Sequence, residues 1–503
     1  MAKKPQQPMS PQLRKQLHHA SQQIKSGNAT AVQSGLVLLS RKHPNIPLIF
    51  DLLTSCNNEM GRHEEAVIAG KRAIELDPKN QDTRIRYAMA LQAFGQYEQA
   101  LVECERALYL QPEFLQAYKT ILSIHTDTAN HPKCIETLKH IDEIIAKREL
   151  DPTEYMGITL NKARLSPKPL DPEPVIKELA PLAENESLPA GFRIIAYHQL
   201  GRLSDVIKEY DQAMSYWIKG NELNKPKWNP DIHSKYIDKL IQCWKGIEKV
   251  PTSTNNFDSS RLIFITGMMR SGTSMTEQMI AQLPTVTPGG EMNAITRAVF
   301  PFESVPNPLG GQVLPITRLI YNQRVVNKMA ALASTLYNEV AQEGIVTDKQ
   351  PHNMYMIPII SRMFPGCKII HCARDAQDNC LSNFQQHFAR SYPHTHDFYW
   401  LGRYHADYSR MMDSWRELPE LEFLDLQYEE TVADPETQSK RVCEFIGQPW
   451  SEDILNFHTS SRTVRTASRD QVRKPIYQSS VKRHTRYADH LAPLREGLGI
   501  DQG

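Results

Sequence analysis

Three glycines, Gly27, Gly61 and Gly95, stand 34 residues apart, and three prolines, Pro44, Pro78 and Pro112, keep the same step. Small residues are in register as well, Ala66 with Ala100 and Ala73 with Ala107. The best-formed unit reads YAMALQAFGQYEQALVECERALYLQP, Tyr87 to Pro112. A fixed period of this length marks a chain built by stacking one supersecondary unit. Small residues let two helices pack closely, and proline closes the second. Each helix pair has an apolar face it cannot bury alone, so stacking is obligatory.

The unit resembles a tetratricopeptide repeat. The match weakens after about residue 125 and returns loosely from Tyr197 to Pro226. Between them, ARLSPKPLDPEPV reads as a loop or an irregular joint. The helices are either a plain scaffold or a concave surface holding a protein partner or the substrate. The logic of solenoids favours a binding role. PTSTNNFDSSR, Pro251 to Arg261, has the composition of a linker. The expected organisation is therefore a repeat domain over 1–250, a linker over 251–260 and a second domain over 261–503.

At 503 residues the chain is too long for one ordinary domain. Its 58 basic and 57 acidic residues nearly cancel, so no global charge calls for nucleic acid or membrane. The eight cysteines show no CxxC and no metal-like pairing with histidine. They read as reduced core thiols in a reducing compartment. The polar start, MAKKPQQPMS, leads into no apolar run of signal-peptide or membrane-span length. The expectation is a soluble, cytoplasmic protein.

The second half opens on RLIFITG, a short apolar run ended by glycine, which reads as a buried parallel strand. In TSMTEQMIAQL, Met275, Met279, Ile280 and Leu283 share one helical face. Strand, tight loop and helix point backbone N–H groups at an anion. Gly267 and Gly272 frame the loop, and Arg270 supplies a cation from within it. A nucleotide-binding P-loop would place lysine where Thr273 stands, which disfavours a kinase. The plainer alternative is a simple strand-to-helix turn with Arg270 solvated. CKIIHCARDAQDNCLSNF repeats the pattern: Arg374 ends a strand, and Ser382 lies two helical turns on. That pair suits a second phosphate.

Together these segments resemble the sulfotransferases that use 3′-phosphoadenosine 5′-phosphosulfate. GMMRSGTSMTEQMI, GGEMNAI, TDKQPHNM, ARDAQDNCLSNF, LQYEETVADP and TASRDQVRKPIYQSSVKR occur in that order. The series is similar to the bacterial tetratricopeptide-sulfotransferase proteins and to the protein-tyrosine sulfotransferases, over about residues 261–495. The fold so implied is an α-helical repeat solenoid followed by an α/β, P-loop-like domain with a parallel sheet. The first loop would hold the 5′-phosphosulfate through Arg270, Ser271, Gly272, Thr273 and Ser274. Arg374 and Ser382 would hold the 3′-phosphate, and the resemblance adds Tyr428 to the donor site. Thr273 and Ser274 would alternatively cap the helix. The donor has no γ-phosphate for a lysine to reach, and no metal is expected. Positioning and electrostatics remain the main catalytic terms.

By the same resemblance Glu291 is the general base that takes the acceptor proton. A phenol with pKa about 10 is neutral near pH 7 and gains from that deprotonation. Lys349, with Asp348 and Pro351 keeping its context, would neutralise charge on the bridging oxygen. On spacing alone both residues read as solvated side chains. The stretch from Arg462 to Arg486 is locally basic. The resemblance implies that this stretch is a lid over the phosphates, with Ser468 near the transferring group and Lys482 or Arg483 near a phosphate. An RNA-binding tail would need more stacking partners than Tyr477 and Tyr487. His484 stands where related proteins carry tryptophan, a departure from the family pattern that bears on adenine stacking and closure. His394 and His396 form an HxH pair, with His387 upstream, but no carboxylate or third histidine stands at convincing spacing for a metal, so these histidines line an acceptor cleft or sit in an exposed loop.

The resemblance thus implies transfer of a sulfuryl group to a hydroxyl: protein tyrosine first, a sugar or small molecule otherwise. A protein or peptide substrate would be held by the repeats. The competing reading is an interaction protein that keeps an inactive nucleotide fold.

Overall fold

The structure is a computed structural model that describes residues 9–26, 28–299, 305–306, 312–313, 321–388, 392–419, 421–459 and 475–500. The chain divides into two compact units, Met1–Gln199 and Leu200–Gly503. The first is a run of helices: α1 (Pro11–Lys25), α2 (Ala29–Lys42), α3 (Pro47–Glu59), α4 (His63–Leu76), α5 (Gln81–Phe94), α6 (Tyr97–Leu110), α7 (Leu115–Asp127), α8 (His131–Ile145), α9 (Pro152–Leu165) and α10 (Pro172–Glu184). The division falls within α11 (Ala190–Val206).

The 34-residue step has a physical basis here. Gly95 caps α5 with φ of 90°, a left-handed conformation that a side chain would strain. Pro78 and Pro112 stand two residues past α4 and α6, where a helix cannot continue. Ala66, Ala73, Ala100 and Ala107 are fully buried, so α4 and α6 approach their neighbours closely. Gly27 lies outside the described residues. The proline-rich joint is tighter than a loop, because α9 runs to Leu165 and α10 starts at Pro172.

The second unit continues with α12 (Tyr210–Asn224) and α13 (Pro230–Trp244). Then come β1 (Leu262–Thr266), α14 (Thr273–Ile280), β2 (Val286–Pro288), α15 (Ala294–Val299), β3 (Val305–Pro306) and β4 (Gln312–Val313). After them run α16 (Gln323–Val340), β5 (Ile345–Asp348), α17 (Ile357–Met363), β6 (Lys368–Ala373), α18 (Ala376–Phe384) and α19 (Phe398–Arg416). The last elements are β7 (Glu422–Gln427), α20 (Tyr428–Ala433), α21 (Pro435–Ile446) and α22 (Ala492–Leu498). Five strands form one sheet in the order β2-β5-β1-β6-β7, and every adjacent pair is parallel. A sheet of this kind is covered on both faces. Strand β1 is accordingly buried at all five positions. Leu262 and Phe264 enter the core with α16 and α19, while Ile263 and Ile265 enter the opposite one with Val442 and Ile446.

Two boundaries differ from the sequence expectation. Helices α12 and α13 belong to the second unit, not to a repeat domain ending at 250. Trp217, Ile237, Leu240 and Trp244 are buried in the same core as Phe264 and Trp415, and each such burial contributes roughly 1.5–3 kcal/mol. The segment 251–260 is also no free linker. Ser253 N donates to Arg362 O at 2.7 Å, Thr254 N donates to Asn327 Oδ1 at 2.9 Å, and Phe257 packs on Phe364. Among the described residues no helix is long and apolar enough to cross a membrane. Seven of the eight cysteines are buried, as core thiols should be, and Cys243 is exposed.

Candidate active site

All five parallel strands end at one edge of the sheet, and the singled-out residues leave from those ends. Glu291 follows β2, Lys349 follows β5, the 267–272 loop follows β1, Arg374 follows β6, and Tyr428 follows β7. Ligands of open α/β sheets bind at this carboxyl edge. The convergence follows from parallel pairing, which puts residues distant in sequence side by side.

The loop after β1 is built for close approach. Gly267 has φ of 146°, and a Cβ there would sit 2.3 Å from the Cys372 carbonyl oxygen. Arg270 also has a positive φ, 68°, and Gly272 has φ of 107°. Gly272 itself is the N-cap of α14 and offers no side-chain cap, so Thr273 and Ser274 are not the caps they resembled. Both are buried at the helix start, and the Ser271 hydroxyl is buried without a hydrogen-bond partner among the described residues. Asn379 and Asn383 on α18 each donate to Met269 O, at 3.1 and 2.9 Å, and fix the loop from the far side.

Arg270, Arg374, Ser382 and Tyr428 meet. Arg270 Nε donates to Ser382 Oγ at 3.2 Å. Arg374 donates to Arg270 O at 3.1 Å and to Ser480 O at 2.8 Å. The Arg374 guanidinium lies 4.7 Å from the Tyr428 ring centroid. Burial, with Arg374 nearby, pushes the Arg270 pKa down to about 10. Crowded like charges of this kind are relieved by an anion between them. A cleft opens among these residues, and Thr273, Ser274, Asp378 and Arg483 also line it.

Glu291 and Lys349 form the second half of the site. Lys349 Nζ donates to Glu291 Oε1 at 2.7 Å. The glycine pair before Glu291 is laced to β5: Gly289 N donates to Thr347 O, and Lys349 N donates to Gly290 O. The buried Glu277 carboxylate adds a third tie, accepting from Gly290 N at 2.9 Å and Thr347 Oγ1 at 2.7 Å. The His352 ring stacks on Tyr392 with centroids 5.4 Å apart. Burial pushes the His352 pKa down against the pull of Glu291, and burial and then Glu291 push Tyr392 up. Both stacked rings thus lie within electrostatic reach of the carboxylate.

The basic C-terminal stretch is in part accounted for. Ser468 lies outside the described residues. Of Lys482 and Arg483, Arg483 lines the cleft, and Asp205 holds it at 2.8 Å. Lys482 starts the following turn in a left-handed conformation. His484 donates to Asp378 Oδ1 from its backbone N at 2.7 Å and pairs with it through Nδ1 at 2.9 Å. Asp375, Asp378 and His484 bring three ligand-type atoms within 4.8 Å, but the Nδ1 contact to a carboxylate is that of an N–H donor. His394 and His396 do not sit in an exposed loop. Both are buried, His394 stacked on Tyr404 at 3.7 Å and His396 bonded to Asn221 at 3.0 Å.

Sequence reasoning missed Asp378, Asn379, Asn383, Glu277 and Asp205. Asp378 had a signal, standing four residues from both Arg374 and Ser382. Asp205 had none, because its partners Arg483 and Tyr487 are more than 270 residues away.

Comparisons with known proteins agree with this architecture. Residues 262–452 match the model of the sulfotransferase family, and residues 58–123 match a tetratricopeptide repeat. An uncharacterized protein of Aquifex aeolicus is 31% identical over 331 residues, covering 64% of this chain and 44% of that one. The chain thus matches less than half the length of that relative. Protein-tyrosine sulfotransferase A of Caenorhabditis elegans is 24% identical, covering 48% of this chain and 68% of its own. Among solved structures, the sulfotransferase domain from the Synechococcus PCC 7002 olefin synthase aligns with a TM-score of 0.35 at 19% identity, over 50% of this chain and 99% of that one.

Proposed function

We propose that this chain, which carries a sulfotransferase-family domain behind a tetratricopeptide-repeat region, moves a sulfuryl group from 3′-phosphoadenosine 5′-phosphosulfate to a hydroxyl, with protein tyrosine as the acceptor. The observation that carries this is the convergence of two anion-binding segments and a lysine–glutamate pair on one sheet edge. The nucleotide donor supplies an activated sulfuryl group. Arg270, Ser271, Thr273 and Ser274 hold its 5′ end, while Arg374 and Ser382 hold the 3′-phosphate. The Ser271 hydroxyl, without a hydrogen-bond partner among the described residues, and the crowded arginines fit a polyanion. Glu291 takes the acceptor proton, and Lys349 stabilises the oxygen that departs with the nucleotide. Ser468 is assigned to the transferring group on family likeness. No metal enters the reaction.

The stacked rings of His352 and Tyr392, within electrostatic reach of Glu291, favour an aromatic acceptor. The names of the protein-tyrosine sulfotransferases that the chain resembles point the same way. The repeat unit is the part assigned to holding a protein or peptide substrate. Buried free cysteines favour a reducing, cytoplasmic setting. The test is incubation with labelled donor and a mixed array of tyrosine peptides and glycans. Label on tyrosine is expected. Label on glycans alone would reverse the acceptor class, and nucleotide binding without any transfer would leave an inactive fold.

A further inference from the structure

One side chain lining the cleft has no task in the reaction above. Asp378 stands on α18, four residues after Arg374 and four before Ser382, and its side chain is 0% exposed. Oδ1 is spent on His484, accepting from the backbone N and from Nδ1. Oδ2 is buried and has no hydrogen-bond partner among the described residues. Leaving a buried acceptor unpaired is costly, so such atoms call for an explanation.

Arg374 shows the complementary feature. Its two terminal nitrogens donate to Arg270 O and Ser480 O, whereas Nε is buried without a partner among the described residues. An unspent donor and an unspent acceptor, four residues apart, thus border the same cleft. A ligand that satisfies both carries an anionic acceptor and a hydroxyl donor on neighbouring atoms. A ribose with phosphate on O3′ and a free 2′-hydroxyl has this pattern. The exocyclic amine of the base is a donor with no anion beside it. A carboxylate next to a phosphate would otherwise repel it, and an intervening hydroxyl removes that conflict.

We propose that Asp378 Oδ2 accepts a hydrogen bond from the ribose 2′-hydroxyl and makes the site selective for a 3′-phosphorylated ribonucleotide over its 2′-deoxy form. This rests on the nucleotide-binding role proposed above. Its test is calorimetry with 3′-phosphoadenosine 5′-phosphate, the 2′-deoxy analogue and the 6-oxo purine analogue. The wild-type protein should bind the ribonucleotide at least about tenfold more tightly than the deoxy form, the scale of a hydrogen bond to a charged group. Asp378→Ala should bring that ratio close to one. His484→Ala removes the Nδ1 bond to Oδ1 but keeps the backbone N–H bond and Oδ2, and should preserve the ratio, which separates a lost acceptor from a loosened C-terminal segment. Equal binding of ribo and deoxy forms by the wild type overturns the proposal, as does an unchanged ratio in Asp378→Ala. Loss of discrimination against the 6-oxo base alone in that variant would move the acceptor to the base and also overturn it. If the wild type binds none of the three, the nucleotide reading fails and this inference falls with it.

Discussion

Lys349 and Glu291 share a hydrogen bond of 2.7 Å across two unequal environments, the lysine side chain 1% exposed and the glutamate 43%. The buried ammonium fixes one carboxylate oxygen and leaves the glutamate side chain open to an approaching acceptor. A positioned carboxylate with an accessible face is what a general base requires.

Glu291→Gln should therefore keep donor affinity and lose turnover by about 10²-fold or more. With a phenolic acceptor the defect should shrink at high pH, where a hydroxyl of pKa about 10 ionises unaided. With a sugar acceptor it should persist. Steady-state rates across pH on both acceptors check this, and wild-type turnover in the variant would place the base elsewhere.

Arg374→Ala should weaken nucleotide binding by roughly 1.5–3 kcal/mol, the scale of a charge-assisted hydrogen bond. The loss should vanish for a nucleotide lacking the 3′-phosphate. Calorimetry with both ligands decides. Equal wild-type affinity for the two nucleotides would remove Arg374 and Ser382 from that role.

Gly267→Ala should disrupt the loop after β1. The added Cβ meets the Cys372 carbonyl oxygen at 2.3 Å, and the backbone at φ of 146° disfavours any side chain. We expect a stability loss above about 1 kcal/mol together with loss of nucleotide binding. Denaturant unfolding and calorimetry measure both, and an unaffected variant would show that the loop tolerates a shift of its strand junction.

Asp348 gives a pH-dependent expectation. Burial pushes its pKa up to about 7, against the hydrogen bond that Tyr337 donates to Asp348 Oδ2 at 2.8 Å. An unfolded aspartate titrates near about 3.9. Between about pH 4 and about pH 7 the folded chain thus holds a proton that the unfolded chain has lost, so stability falls as pH rises, by up to about 1.4 kcal/mol per unit. Below that window both states are protonated, and above it the penalty is constant. Asp348→Asn removes the charged form, so its advantage over wild type should be larger at pH 8 than at pH 5. Denaturant unfolding at the two pH values checks the sign. An equal difference at both would mean that Asp348 titrates normally.

The repeats and the sheet strands were legible because their causes are local. A 34-residue step of glycine and proline marks helix ends wherever the chain goes, and RLIFITG is apolar throughout because both faces of β1 are covered. Arg270, Arg374, Ser382 and Tyr428 could be named through family likeness, and the cleft brings them together. The histidines of SYPHTHDFYW misled, since nothing in an HxH spacing reveals that Tyr404 and Asn221 will cover them.

By itself the sequence determined the helical repeats, the strand-loop-helix cradle and the residue types that chemistry there requires. Each follows from backbone preference and period within a few dozen residues. Tertiary structure alone decided that α12 and α13 join the sheet unit, that the Glu291 loop is tied to β5 through Glu277, and that Asp378 and Arg374 keep polar atoms unspent among the described residues of one cleft. Those outcomes depend on which distant surfaces exclude water together and which polar atoms that burial leaves paired. Neither is written in any local stretch of chain.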